Sequence, residues 1–386
     1  MGLFFRGKTK SLLYVVASAT GLYAGVCIYN GNYKFYKDTL MPLVRLLDPE
    51  RAHNLAVFVS QYRLLPKVVF KDPDILRVHV LGKDFPNPIG IAAGFDKDGK
   101  TIMGLKDIGF GFVEIGSVTP LPQLGNDKPR VFRLLEDRAV INRYGFNSQG
   151  HEEVLQRIKN IKCNAETPVI VGINLGKNKT SDDAVKDYVE GIEKFGGIAD
   201  YLVINISSPN TPNLRTLQNK ENLGMLLKAV VEAKNRLSEP KPPLLLKLAP
   251  DLNYEEKKDI AEIVKRKGCM VDGLIVCNTT VQRPKLISKY KNEQGGLSGA
   301  PLKDTSTQMI KDMSRLTNGI LIIGVGGVSS GKDAYEKIKA GASLIQIYSA
   351  LIYDGPPLVS QIKKELADLV AKDGFKNISE AIGKDR

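Results

Sequence analysis

Eight times along this chain of 386 residues an apolar, β-rich run ends in glycines or short polar side chains. The runs are Ile89–Lys97 (IGIAAGFDK), Phe112–Thr119 (FVEIGSVT), Val169–Asn178 (VIVGINLGKN), Tyr201–Arg215 (YLVINISSPNTPNLR), Leu244–Pro250 (LLLKLAP), Leu274–Thr280 (LIVCNTT), Ile320–Val328 (ILIIGVGGV) and Leu344–Ala350 (LIQIYSA). Most are followed by a segment of helical period: in Asn222–Leu237, the side chains of Leu223, Leu226, Leu227, Val230, Val231 and Leu237 fall on one face. Eight β-then-α units predict an α/β chain folded as a (β/α)8 TIM barrel, with its chemistry at the C-terminal ends of the strands.

The richest of these ends is Tyr201–Arg215. Its first four residues are apolar without clean alternation, the pattern of a strand buried on both faces. Asn205-Ile206-Ser207-Ser208-Pro209-Asn210-Thr211-Pro212 then sets amides, hydroxyls and prolines at the strand end. This composition serves a binding loop and a plain turn equally well. The segment Thr119–Gly150 is long for a βα loop and carries Arg130, Arg133, Asn142, Arg143, Tyr144, Phe146 and Asn147, so a lid or ligand wall is expected there. Val281–Gly299, with its GGLSG, admits a turn and a binding reading alike.

Lys247 stands inside an apolar strand, where an unpaired ammonium is expensive, so an anionic partner is expected. That partner is either a ligand or a structural carboxylate. The loop Gly324–Gly331 supplies backbone amides leading into a helix N-terminus, after the seventh of eight strands, which is the usual barrel phosphate site. It does not complete a dinucleotide fingerprint, because Ser329 stands where GxGxxG needs its third glycine.

Upstream of the barrel, Val78–Pro88 reads as a small hairpin closing its bottom. Asp48 before Pro49 is an N-cap and N1 pair, which predicts a helix running to Gln61. Its Leu55, Ala56, Phe58 and Val59 either pack on the barrel or cover a lipophilic opening. Arg6, Lys8 and Lys10 precede an uncharged stretch, Ser11–Tyr33, that exceeds the roughly 20 residues a bilayer requires. A signal peptide, a buried helix and a retained anchor behind a mitochondrial address compete; without a cleavage site the anchor is favoured.

The formal charge of +13 raises the question of nucleic acid, but the lysines are scattered over helical segments with no basic run interleaved with aromatics, so no nucleic-acid partner is expected. An anionic membrane surface or anionic ligands explain the sign. Cys27, Cys163, Cys269 and Cys277 lack CxxC spacing, and with only His53, His79 and His151 no metal site is expected.

Taken together and in order, AAGFDKDG (Ala92–Gly99), INRYGFNS (Ile141–Ser148), INLGKN (Ile173–Asn178), INISSPNTPNLR, LKLAPDL (Leu246–Leu252), CNTT (Cys277–Thr280), GGLSG (Gly295–Gly299) and IGVGGVSSG (Ile323–Gly331) resemble the dihydroorotate dehydrogenase family over nearly the whole chain. Ser208, where soluble class 1 members carry cysteine, and the long N-terminal extension resemble class 2, the membrane-associated, quinone-reducing form. The resemblance implies oxidation of (S)-dihydroorotate to orotate in de novo pyrimidine (UMP) biosynthesis, with FMN as cofactor and ubiquinone as final acceptor. It also implies a place in the mitochondrial inner membrane through one N-terminal span, with bacterial-type membrane association as the alternative. Residues 1–33 would then be the targeting and transmembrane anchor, 34–68 a two-helix extension at a quinone tunnel, and 69–386 the FMN-binding barrel.

Residue by residue, the resemblance places Ala92, Ala93, Gly94, Ser117, Asn142, Asn174, Asn205 and Cys277 around the flavin, and Lys247 at its N1/O2 edge. Gly299, Gly327, Tyr348 and Ser349 fall on its phosphate side. Cys277 departs from the threonine common there, a change of little consequence if the contact is through the backbone. Lys97, Asn142, Arg143, Tyr144, Gly145, Phe146, Asn147, Asn205, Asn210, Asn278 and Thr279 would hold orotate, a ring whose amide-like edges asparagine matches as donor and acceptor. Ser208 would be the general base, taking the C5 proton as hydride leaves C6, and its weak basicity calls for a neighbouring hydroxyl or water path. His53, Arg133 and Tyr348 would line the quinone tunnel. The rivals are a flavin barrel reducing unsaturated pyrimidines and a non-enzymatic membrane-tethered barrel, the second dismissed by a yellow protein that dihydroorotate bleaches.

Overall fold

The computed structural model describes residues 2–65, 70–164 and 168–386, with side chains from residue 11 onward. Eight parallel strands close a barrel in the order β3 (Ile89–Ile91), β4 (Phe112–Val118), β7 (Val171–Leu175), β8 (Tyr201–Asn205), β9 (Leu244–Leu248), β10 (Gly273–Val276), β12 (Leu321–Val325) and β13 (Leu344–Ile347), which returns to β3. All eight apolar runs therefore enter the barrel. β1 (Val78–Val80) and β2 (Lys83–Phe85) form the expected antiparallel hairpin, and Phe85 packs edge-on against Phe112 at the start of β4. The remaining strands, β5 (Val131–Leu134), β6 (Ala139–Asn142) and β11 (Gly296–Gly299), make a separate antiparallel sheet in the order β11-β6-β5.

That small sheet decides between the lid and the wall expected of Thr119–Gly150, in favour of the wall. The segment carries the β5–β6 hairpin, and GLSG is β11, which pairs with β6 across a long sequence separation, Gly296 opposite Asn142 and Gly299 opposite Ala139. A strand that hydrogen-bonds on both edges is a fixed wall.

Side chains alternate across a strand, so Phe112, Glu114 and Gly116 share one face of β4, and Tyr201, Val203 and Asn205 one face of β8. These faces point into the barrel, where the Phe112 and Tyr201 rings pack 6.4 Å apart near its bottom. Gly172 on β7 makes room for them: a Cβ there would lie 2.0 Å from the Tyr201 ring. Outside, the helix Lys220–Arg236 buries Leu223, Leu226, Leu227 and Val230 as its period predicts.

Gly2–Tyr29 is one helix, and within it Ser11–Tyr29 is long and apolar enough to cross a membrane, with Leu12, Leu13, Tyr14 and Val15 all exposed. A helical segment then runs from 33 to 44 through a π-helical stretch at Tyr36–Leu40. The helix Pro49–Gln61 follows, with the Asp48 carboxylate accepting from the amides of Glu50 and Arg51 as an N-cap should. Ala56 packs toward the barrel core, whereas Leu55 and Phe58 remain about half exposed. The expected boundary between residues 68 and 69 lies outside the described residues.

Candidate functional site

A cavity of about 520 Å3 runs from the N-terminal helices to the C-terminal ends of the barrel strands. Every residue expected at the site lines it except Asn174 and Arg143. Asn174 lies just beneath, fully buried, and its side chain serves the floor. The Arg143 guanidinium turns away, pairing with Glu293 at 2.7 Å and stacking over Phe132 at 4.6 Å. Its side chain is thereby committed to holding β6 against the loop before β11.

The floor is a closed polar network. Glu114, at 0% exposure, accepts from Asn174 Nδ2 at 2.9 Å, Gln346 Nε2 at 2.6 Å and Tyr201 Oη at 3.3 Å, and Lys247 Nζ lies 3.4 Å from it. A buried ion pair is tolerated only when its remaining lone pairs are satisfied. Glu114 meets that condition, which explains how Lys247 is kept inside a strand with its ammonium on the cavity floor. Both anticipated readings of Lys247 thus coexist in space: it is paired to a carboxylate and it faces the cavity. The network continues upward through Asn205 Nδ2, which donates to Ser117 Oγ at 2.8 Å and Asn174 Oδ1 at 3.1 Å. Cys277 is buried beside it, and desolvation pushes its thiol up to about 12, so it stays protonated and inert.

The loop after β8 is held from both sides. Arg215 donates to the Ser207 carbonyl at 2.9 Å and the Thr279 carbonyl at 2.8 Å, and pairs with Asp251 at 2.6 Å. Asn278 Nδ2 donates to Ser207 Oγ at 2.9 Å and Asn205 Oδ1 at 3.3 Å. Ser208 is 7% exposed and its hydroxyl accepts from the Asn210 amide at 3.2 Å; no side-chain hydroxyl among the described residues bonds it. Opposite, the Lys97 ammonium donates to Asn147 Oδ1 and sits 3.5 Å above the Tyr144 ring. Burial, and then the charge of Arg130, lower its pKa to about 7.

At the end of β12 the turn contains Gly326 and Gly327, both with positive φ (114° and 70°). A Cβ at Gly327 would fall 2.5 Å from the backbone of Lys303. The helix N-terminus that follows is less open than expected: the Ser329 amide is taken by Asp333 at 3.0 Å and the Gly331 amide by Glu365 at 2.6 Å. Among the described residues no acceptor is found for the amides of Gly326, Gly327 or Ser349, and these three line the cavity. Unsatisfied amides converging on glycines form an anion cradle. With Ala92, Ala93 and Gly94 opening a flat wall and Lys247 on the floor, the donors fit a planar ring carrying a phosphate, such as FMN.

The other end of the cavity is apolar, walled by Leu40, Met41, Val44, Leu55, Ala56 and Val59. His53 Nδ1 lies 3.4 Å from Tyr348 Oη, and burial with the nearby Lys97 charge lowers the imidazole to about 4. Arg133 donates to the Leu47 carbonyl, joining β5 to the turn before helix Pro49–Gln61. His53, Arg133 and Tyr348 all line this cavity.

Sequence reasoning overlooked Glu114, Gln346 and Arg215. Glu114 had a signal: it is the only charge in FVEIGSV, as Lys247 is in LLLKLAP, and two lone opposite charges in buried strands invite pairing. Arg215 had none, since an arginine in a loop is unremarkable until its three acceptors are known.

A family model described as dihydroorotate dehydrogenase matches residues 75–370. The chain is 54% identical to the mitochondrial dihydroorotate dehydrogenase (quinone) of Mus musculus over 94% of each chain. It is 52% identical to the dihydroorotate dehydrogenase (quinone) of Parvibaculum lavamentivorans over 89% of this chain and 97% of that one. Among solved structures, Eimeria tenella DHODH in complex with ferulenol superposes with a TM-score of 0.85 at 42% identity, covering 89% of this chain and 99% of its own. With a matching family model, relatives above half identity and a barrel whose strand ends carry the expected side chains, the chain belongs to the dihydroorotate dehydrogenases, in their quinone-linked class 2 branch.

Proposed function

We propose that this protein oxidises (S)-dihydroorotate to orotate and delivers the electrons to a membrane quinone, ubiquinone, in de novo pyrimidine synthesis. The observation that carries this reading is the single cavity joining an asparagine-walled pocket with Ser208 to an apolar mouth beside the helix Gly2–Tyr29. FMN, when bound, supplies the two-electron acceptor between the two substrates.

The chain's own residues divide the rest of the work. Asn142, Asn147, Asn205, Asn210 and Asn278 offer donors and acceptors to the edges of a pyrimidine ring, and the Lys97 ammonium takes its carboxylate. Thr279 and the main chain of 144–146 complete that pocket. Ser208 takes the C5 proton while its own hydroxyl proton passes to solvent water, since no side-chain hydroxyl among the described residues bonds it. Lys247, steadied by Glu114, presents positive charge to the electron-rich edge of the cofactor, and the Gly299, Gly326, Gly327 and Ser349 backbone holds its phosphate. The apolar helices admit a prenyl tail from lipid, since its transfer between two apolar media costs little. Arg133 and His53 then hydrogen-bond the quinone head, with Tyr348 between head and flavin. Residues 1–33 act as anchor in the mitochondrial inner membrane, 34–68 as tunnel, and 69–386 as barrel.

An anaerobic spectrum tests the proposal. The purified protein should be yellow, bleach on adding dihydroorotate, and regain colour with a short-tailed ubiquinone. A colourless protein, or a flavin that dihydroorotate leaves oxidised, would refute it.

A further inference from the structure

Lys337 lies in the helix Gly331–Ala340, is 0% exposed and does not reach the cavity. Its ammonium donates to the Lys303 carbonyl at 3.1 Å, to Thr307 Oγ1 at 2.8 Å and to Ser306 Oγ. All three acceptors are neutral, and among the described residues no carboxylate lies within ion-pair distance of it. All three also belong to the first turn of the helix Lys303–Leu316. That is the positive end of the helix dipole, where a cation is unfavourable. A buried charge without an anion, at the wrong end of a helix, is a doubly costly arrangement.

Nearby acids relieve it only in part and from a distance: Asp333 and Asp304 favour the charge without touching it, and burial outweighs them. Asp333 is engaged by the Ser329 amide and hydroxyl and by the Lys303 ammonium at 3.5 Å, and Glu336 lies 3.6 Å from Lys303. Burial lowers the Lys337 pKa to about 8. The ammonium connects toward the cavity through Ser306 Oγ, which it hydrogen-bonds and which lies 3.0 Å from the Gly326 carbonyl. Gly327 rests on the backbone of Lys303, in the same turn. The costly cation is therefore directly behind the two glycines whose amides face the cavity without acceptors.

We propose that Lys337 is a positioning residue for the cofactor's phosphate, a buried counter-charge acting from behind the Gly326-Gly327 turn rather than by contact. The inference rests on reading that turn as the phosphate cradle. A dianion on the cavity side supplies the negative charge that the protein withholds from Lys337, and Lys337 with the helix end raises the potential at which that dianion binds. The hydrogen bond through Ser306 also fixes the Gly326 carbonyl, so that the amides of the turn remain aimed at the cavity.

The test compares two flavins that differ only in the phosphate. Full-length protein in detergent, stripped of flavin, is titrated with FMN and with riboflavin, following quenching of flavin fluorescence. Wild type should bind FMN far more tightly. Lys337→Met keeps the aliphatic stem and leaves Ser306 and Thr307 bonded to the Lys303 carbonyl. It should weaken FMN about tenfold, as expected of a charge acting through the poorly screened interior, with riboflavin unchanged. Should that variant not fold, Lys337→Gln, which keeps hydrogen bonding without charge, must show the same phosphate-selective loss. Equal weakening of both flavins, or an unchanged preference for FMN, would overturn the inference and leave Lys337 a packing residue. A wild type that binds riboflavin as well as FMN would instead remove the cradle reading itself.

Discussion

At the barrel end of the cavity the amides of Asn205, Asn174 and Asn278 already hydrogen-bond one another and the Ser117 and Ser207 hydroxyls. At the helical end, Leu40, Val44, Ala56 and Val59 present only carbon, and the polar groups, among them His53, Arg133, Tyr36 and Arg45, are scattered over separate elements. The first end is pre-organised: its donors are held before a ligand arrives, so binding costs them little ordering. The second is permissive. An apolar wall accepts a long tail in many registers, and orientation is left to polar side chains spaced apart along it. The two half-reactions should therefore respond to different substitutions, by different amounts.

The largest effect is expected at the ordered end. Ser208→Ala should slow flavin reduction by dihydroorotate by about two to four orders of magnitude, the usual worth of a positioned base, while orotate still binds and reoxidation by quinone is unchanged. Stopped-flow bleaching at the wild-type rate in this variant would end the assignment.

Next comes pH. Burial and Arg130 depress the Lys97 pKa to about 7, so the ammonium is charged below that value and lost above it. Binding of the dihydroorotate carboxylate should then weaken as pH rises through 7, by up to about tenfold per unit. Without substrate the same depression makes unfolding take up a proton between pH 7 and 10.5, so the contribution of Lys97 to stability rises across that window. At the permissive end His53, held to about 4, stays neutral throughout, and the quinone half-reaction should be flat from about pH 5.5 to 8. Parallel profiles for the two half-reactions would collapse the distinction between the ends.

Smaller again is Arg133→Ala, which should slow reoxidation by a short-tailed quinone about tenfold, the worth of one charge-assisted hydrogen bond, with reduction near normal. Equal slowing of both steps would show that Arg133 supports the fold rather than the quinone. The smallest catalytic effect should follow removal of residues 2–29. The shortened protein should no longer sediment with vesicles yet reduce its flavin within about twofold of the full chain, because the barrel buries its core without that helix. Loss of bound flavin on truncation would mean that the helix is part of the site.

Strand patterning and capping are local properties, which is why the eight barrel strands and the Asp48–Pro49 helix start were legible from residue order alone. Each strand's burial shows in its own composition, and each cap in the two or three residues that make it. The need of Lys247 for an anion was legible too, because desolvation is a property of the strand it occupies. Which anion was not: Glu114 lies 133 residues away and meets Lys247 only because the barrel closes. Closure likewise chose the wall over the lid for the long segment after β4, since β6 finds β11 across the fold, and it aimed Arg143 at Glu293 rather than at the cavity. Side-chain direction and charge pairing depend on distances between elements, and those are set by packing. The same holds for Lys337, an ordinary helical lysine in the sequence, which the packing of two helices buries behind a glycine turn.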